Sequence, residues 1–202
     1  EEAKLVPSDP ATLKQFGSSV AIVGDLAVVG ALGDAGSQGS VYLFRRVAPG
    51  LWVEEAKLVA SDGAPNHRLG SSVSVDAELV AAGAPGESSV DVEAGAVYLF
   101  RRVSGVWTET TKLTALGSTA GAHFGQRVDL LGPRVQVGAP EQNDGGVDVG
   151  AAYLFQKFGS AWDEVQKFNA SDTAPNSKFG SAVAVGDDGV VAIGASDDDS
   201  AA

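Results

Sequence analysis

The sequence predicts an all-β fold: a β-propeller built of blades of four antiparallel strands, with about three and a half repeats of roughly 55 residues in 202 positions. Three observations predict it. Trp52, Trp107 and Trp162 recur at intervals of 55 and 55 residues, and Tyr42, Tyr98 and Tyr153 at 56 and 55, so every Trp and every Tyr is a repeat marker. Each repeat divides into four short apolar pieces separated by turn residues, with the lengths and the Val, Tyr, Phe and Trp content of strands. No piece reaches the roughly 10–12 residues of helical period that a crossover helix needs.

The pieces are justified in order. The first strand is SSVAI (18–22), with SSVSV (71–75) and SAVAV (181–185) as counterparts. It is small and Ser-rich, as the crowded inner rim of a blade requires. The second is LAVVGA (26–31), with LVAAGA (79–84) and VVAIGA (190–195). The third, SVYLFRRV (40–47), recurs as AVYLFRRV (96–103) and AAYLFQKF (151–158). Its VYLF core is apolar on both faces, as in a strand sandwiched between blades, so Tyr42, Phe44, Tyr98, Phe100, Tyr153 and Phe155 are expected to be buried there. The fourth, WVEEAKLVA (52–60), carries Glu54, Glu55 and Lys57 among apolar residues, which suits an outer strand half in water. Counting from the Trp, the chain is read as a single domain, 1–202, with repeats at 1–51, 52–106, 107–161 and, incomplete, 162–202.

Composition narrows the function. The net charge of -12 repels phosphate, so neither nucleic acid nor an anionic membrane surface is an expected partner. There is no Cys, which excludes disulfides, thiolate metal sites and a thiol nucleophile. No apolar run approaches the ~18 residues of a membrane span, so membrane insertion is not expected. Gly-x-Ser-x-Gly, P-loop and Gly-x-Gly-x-x-Gly motifs are absent. Carboxylates are plentiful enough for a two-carboxylate glycosidase, but they sit at repeat-equivalent turns and on outer strands. An active site usually breaks such symmetry, so the chain is expected not to be an enzyme and to use no catalytic residue.

Each repeat also carries Phe-Gly or Leu-Gly before its first strand and a Gly-Ala pair, twice followed by Pro, after its second. These are Phe16-Gly17 with Gly30-Ala31, Leu69-Gly70 with Gly83-Ala84-Pro85, Phe124-Gly125 with Gly138-Ala139-Pro140, and Phe179-Gly180 with Gly194-Ala195. This pattern resembles the FG-GAP repeat of integrin-alpha-like β-propellers and covers essentially the whole chain. The resemblance implies a propeller head of the kind found in surface proteins, often with Ca²⁺ in a loop between the first and second strands. Here those connections are Val23-Gly24-Asp25, Asp76-Ala77-Glu78, Leu131-Gly132-Pro133 and Gly186-Asp187-Asp188-Gly189. They are too short and too poor in oxygen ligands for a six- to eight-coordinate cage, so that calcium site is not carried over and no cofactor is expected.

The connections between second and third strands are variable and acidic. Asp34, Asp91, Glu93, Asp144, Asp148, Asp197, Asp198 and Asp199 are weak candidates for Ca²⁺ there, with Glu87 and Glu141 in the same loops. The simpler expectation is solvated turns. His67 and His123 precede the Phe-Gly position at different offsets, which argues against a shared metal site. Ser8-Asp9, Ser61-Asp62 and Ser171-Asp172 read as Asx-type turns, with a repeated ligand contact as the alternative. Asn169-Ala170-Ser171 is an N-glycosylation sequon, relevant only in a eukaryotic secreted protein.

The function expected is a non-catalytic extracellular or cell-surface module for adhesion, coat or fibre, with a protein or glycan ligand. The alternative is a carbohydrate-binding propeller accompanying a polysaccharide-active enzyme, which an exposed aromatic beyond the repeat set would favour and for which Phe158 is the only modest candidate. Residues 1–6 read as an outermost fourth strand and residues 181–195 as half a blade. The remaining blades of a longer chain, or a neighbouring copy in an assembly, are therefore expected partners that complete the last blade.

Overall fold

The computed structural model describes residues 2–144, 146–171 and 174–198. Three four-stranded antiparallel sheets follow one another, then a two-stranded one. The first contains β1 (Phe16–Val23), β2 (Leu26–Ala31), β3 (Ser40–Ala48) and β4 (Leu51–Leu58), in that spatial order. The second contains β5 (Ser72–Asp76), β6 (Leu79–Ala84), β7 (Ala96–Val103) and β8 (Val106–Leu113). The third contains β9 (Arg127–Leu131), β10 (Arg134–Ala139), β11 (Ala151–Phe158) and β12 (Ala161–Phe168), and the last β13 (Phe179–Val185) and β14 (Val191–Ala195). Among the described residues the one helical stretch is a single turn at Asp34–Ser37, inside which Ala35 and Gly36 have positive φ. The inner strands β1, β5, β9 and β13 lie side by side, each against the next. Such sequential meanders with adjacent innermost strands are propeller-type blades.

The blades straddle the Trp-to-Trp units: Trp52 opens the outermost strand of the first blade, Trp107 that of the second and Trp162 that of the third. Residues 2–6 form no strand, contrary to the expectation of an outermost strand there. Glu2 meets the turn between β3 and β4 through its side chain, which accepts from the Gly50 N–H, and not through a backbone ladder. Leu5 instead packs on the open face of the first blade with Phe16, Tyr42, Phe44 and Trp52.

The core lies between blades. Leu26, Val28, Val41 and Leu43 of the first blade meet Val80, Ala82, Tyr98 and Phe100 of the second. Val97 and Leu99 on the opposite face of the second blade meet Val135, Val137, Tyr153 and Phe155 of the third. All six aromatics of the third strands are buried, as their two-sided apolar pattern requires. Phe124 stands edge-on to Tyr153 and Phe155, at 5.4 and 5.8 Å between ring centres. Phe16 does the same with Tyr42 and Phe44.

The Phe-Gly and Gly-Ala motifs interlock. Gly70 N–H donates to Gly83 O within the second blade, and Gly125 N–H to Gly138 O within the third. Across blades, a Cβ on Gly83 would lie 1.8 Å from Gly125 O, so the second strand can reach the next blade's Phe-Gly turn only without a side chain. Ser72 Oγ donates to the same Gly125 carbonyl at 2.9 Å. Beside this lock, Phe124 N–H donates to Ala94 O and pairs the loop before β7 with the following blade's turn. Gly95 in that loop has φ +88°, which L side chains rarely adopt.

Candidate functional site

The loops between second and third strands and the linkers between blades emerge at one edge, because both leave the same ends of the antiparallel strands. The chemistry-bearing residues of the repeat gather there. In the second blade, Tyr98 is fully buried and its hydroxyl donates to Asp62 Oδ1 at 2.6 Å. Lys112, from the outer strand, reaches Asp62 at 2.7 Å and Glu87 at 2.9 Å and covers the Tyr98 ring. Ser89 N–H and Oγ donate to the two Glu87 oxygens. The first blade repeats this with one added cation. Asp9 accepts from Tyr42, Lys14 and Lys57, and Asp34 takes Lys14, Lys57 and Ser40 Oγ.

These contacts fix the ionisation of the cluster. Burial pushes the Glu87 carboxyl up, but the Lys112 hydrogen bond, the two Ser89 contacts and the Lys112 charge outweigh it, and Glu87 lies below its ordinary value. Asp34 and Asp62 are lowered by the same balance. Asp9, with little burial against it, is pulled down mainly by Lys14 and Lys57. Lys112 moves the other way: burial lowers it, and Asp62 and Glu87 more than reverse this. Burial and then Asp62 raise Tyr98 far above the ordinary phenol. Within the cluster the lysines thus hold the carboxylates toward their charged form, and the carboxylates hold Lys112 toward its own.

The third blade departs from the pattern. Gly117 stands where Asp9 and Asp62 stand, and the fully buried Tyr153 hydroxyl has no protein partner among the described residues. Gln142 occupies the place of Asp34 and Glu87, and the acid that meets Lys167 is Asp144, held by Gln142 Nε2 at 3.0 Å. Lys167 brings Asp144 below its ordinary value against the effect of burial.

The reading of the loop acids as solvated turns is therefore corrected at Asp34 and Glu87, which are buried and ion-paired. The Asx-turn reading is likewise corrected: Asp9 and Asp62 bond across to Tyr and Lys. Their neighbours Ser8 and Ser61 donate through N–H and Oγ to Glu54 and Glu109 of the outer strands. The other candidates are not brought together. Asp91 accepts from the Val92 N–H, and Glu93 faces Arg68 and His123 at 3.9 and 3.8 Å. His123 Nδ1 contacts Glu141 at 2.7 Å, Asp148 N–H donates to Asn143, and Asp197 pairs with Lys178. Asp198 follows in the same loop; Asp199 and Asp172 lie outside the described residues. Among the described residues, no three His, Asp or Glu side chains form a metal-holding group. Val23 and Leu26, Asp76 and Leu79, and Leu131 and Arg134 are each joined by two-residue turns. Asn169 is exposed just beyond β12.

The Lys-acid-Tyr cluster had a legible signal. Lys57, Lys112 and Lys167 recur with the repeat, and Asp34, Glu87, Gln142 and Asp198 each lie four residues after the Gly of the Gly-Ala motif.

Sequence comparison agrees with the interlock of turns. The FG-GAP repeat profile matches residues 1–44, 52–100, 107–155 and 162–202. The chain belongs to the FG-GAP repeat family. Comparison with curated proteins found no match. In this FG-GAP chain the Phe-Gly and Gly-Ala residues bring the backbones of successive blades into contact. Among the described residues, no helix is long and apolar enough to cross a membrane.

Proposed function

We propose that this FG-GAP chain is a non-catalytic, extracellular binding or structural module that meets its partner through the edge carrying the variable loops. The observation behind this reading is the contrast between buried and exposed parts of that edge. The repeat-equivalent charges are paired with one another, while apolar side chains face solvent: Val92 (66% exposed) and its counterpart Val147 (64%), where the first repeat has Gly36, and Leu116 (74%), where the other repeats have Ser. The loops behind them are tied by backbone hydrogen bonds to the next blade, as with His123 N–H to Glu93 O and Lys178 N–H to Asp148 O. A rigid edge with exposed apolar residues suits recognition. Labelling of intact source cells with an antibody to residues 1–202 tests the location. Surface labelling is expected, and labelling only after permeabilisation would contradict the reading. The expected test of catalysis is a panel of glycoside and ester substrates, on which any turnover lost with a single carboxylate substitution would overturn the non-catalytic role.

A further inference from the structure

The outer groove between neighbouring blades is built twice, and its two copies differ in one decisive residue. Between the first and second blades, Glu55 sits in a β-bulge of β4, where the register skips from Leu43↔Ala56 to Phe44↔Glu54. Its carboxylate accepts from Arg45 Nε at 2.7 Å and from the Trp107 indole N–H at 3.0 Å, and Arg102 Nε lies 2.9 Å away as an ion-pair partner. Two cations and an indole donor from two blades thus converge on one carboxylate supplied by the chain itself.

Between the second and third blades the same bulge recurs, with the register skipping from Leu99↔Thr111 to Phe100↔Glu109, and its residue is Thr110. Arg101, Lys157 and Trp162 occupy the places of Arg45, Arg102 and Trp107, but the carboxylate is gone. A cleft of about 290 Å³ lies there, lined by Leu79, Arg101, Thr110, Lys157, Ser160 and Trp162. Among the described residues, neither Arg101 nor Lys157 has an acidic partner and the Trp162 N–H has no acceptor, although the chain carries 26 acids against 14 bases. Lys157 lies 5.9 Å from the Trp162 ring centre, so the charge is already held at the cleft.

We propose that this cleft binds the carboxylate of an acidic sugar, a uronate residue, in the position that Glu55 fills in the neighbouring groove. The two cations and the indole N–H supply charge-assisted hydrogen bonds to the carboxylate. The Ser160 hydroxyl, Thr110 Oγ1 as an acceptor (it donates to Leu99 O at 3.2 Å), the apolar Leu79 and the room left by replacing Glu with Thr suit a hydroxylated ring better than a bare acid. This site lies on the outer groove, away from the variable loops, so its failure would leave the reading of the loop edge standing.

The test follows the three indole N–H resonances of the intact 202-residue chain by NMR at constant ionic strength, with D-glucuronate, glutarate and glucose as probes. The expected result is a saturable shift of the Trp162 resonance with glucuronate, weaker with glutarate and absent with glucose. The Trp107 resonance, already bonded to Glu55, stays in place. Thr110→Glu, which supplies the missing carboxylate from the chain, is expected to weaken glucuronate binding about tenfold or more and to raise the melting temperature. Arg101→Ser is expected to weaken binding with the fold intact. No Trp162 shift, equal shifts of Trp107 and Trp162, or undiminished binding in Thr110→Glu and Arg101→Ser would overturn the proposal. Tighter binding of glutarate than of glucuronate would overturn the sugar class, in favour of an acidic peptide.

Discussion

Tyr98 and Tyr153 occupy the same place in successive blades and are both fully buried, but only one hydroxyl is satisfied. Replacing each with Phe removes the same atom from the same apolar packing. In Tyr98→Phe the lost bond is the 2.6 Å donation to the Asp62 carboxylate. A hydrogen bond to a charged group contributes about 1.5–3 kcal/mol. Asp62 is half exposed and keeps Lys112 as partner, which places the cost near the lower end, about 1.5 kcal/mol. In Tyr153→Phe no protein bond is lost, because Gly117 replaces the acceptor. Removing an unsatisfied buried hydroxyl is neutral or stabilising by up to about 1 kcal/mol. For a chain of this size, 1 kcal/mol moves the melting temperature by about 2–4 °C. Calorimetry should therefore show Tyr98→Phe melting several degrees below the parent and Tyr153→Phe at or above it. Equal losses in the two variants would refute the assignment of the Asp62 bond as the difference between the blades.

Further outcomes follow from the same contacts. Phe100→Ala, which empties a buried site between the first two blades, is expected to cost about 3–5 kcal/mol in denaturant unfolding. Acid should weaken the fold through Asp34, Asp62, Glu87 and Asp144. Their folded values lie below the ordinary 3.8 and 4.5, so their contribution is complete above those values and is lost as pH falls through the lower folded ones. Lys112 behaves oppositely: its folded value is raised, so its contribution is complete below 10.5 and is lost as pH rises through the folded value. Melting temperature against pH should accordingly be flat around neutrality and fall at both ends; a fall already at pH 6 would contradict this. Calorimetric titration with Ca²⁺ is expected to show no tight site at the two-residue turns after β1, β5 and β9, and a sub-micromolar site per repeat would contradict that.

How far the sequence disclosed this arrangement depended on what each residue's role required. Strand order and the burial of Tyr98 and Phe100 were legible because they rest on periodicity and two-sided apolarity. The interlock of Gly83 with Gly125 was legible only as a motif, since its reason is a close approach between blades. The bulge at Glu55 and Thr110 left no local signal: a bulge adds a residue without altering the strand's composition. The ion-pair clusters are hidden in the sequence because acidity in a loop reads as solvation, whereas Glu87 is buried by a Lys from a strand 25 positions later. The third blade's inner strands carry a weaker apolar pattern because polar residues there serve neighbours. Asp129 accepts from Ser74 Oγ in the blade before and from Val185 N–H in the blade after.

The Gly of the Gly-Ala motif holds successive blades at contact distance, and Gly83→Ala puts this to the test. The added Cβ would fall 1.8 Å from Gly125 O and 2.7 Å from Ser72 Oγ, and the first of these is backbone of the next blade. Such overpacking costs about 1–3 kcal/mol or more. Gly105→Ala is the control, because it has the same chemistry with no atom within 4 Å, although its φ of +84° still carries strain. Measured by denaturant unfolding with amide exchange, Gly83→Ala should destabilise well beyond Gly105→Ala and loosen exchange at Gly125 and its neighbours. Equal stability of the two variants, with Gly125 exchange unchanged, would contradict the account.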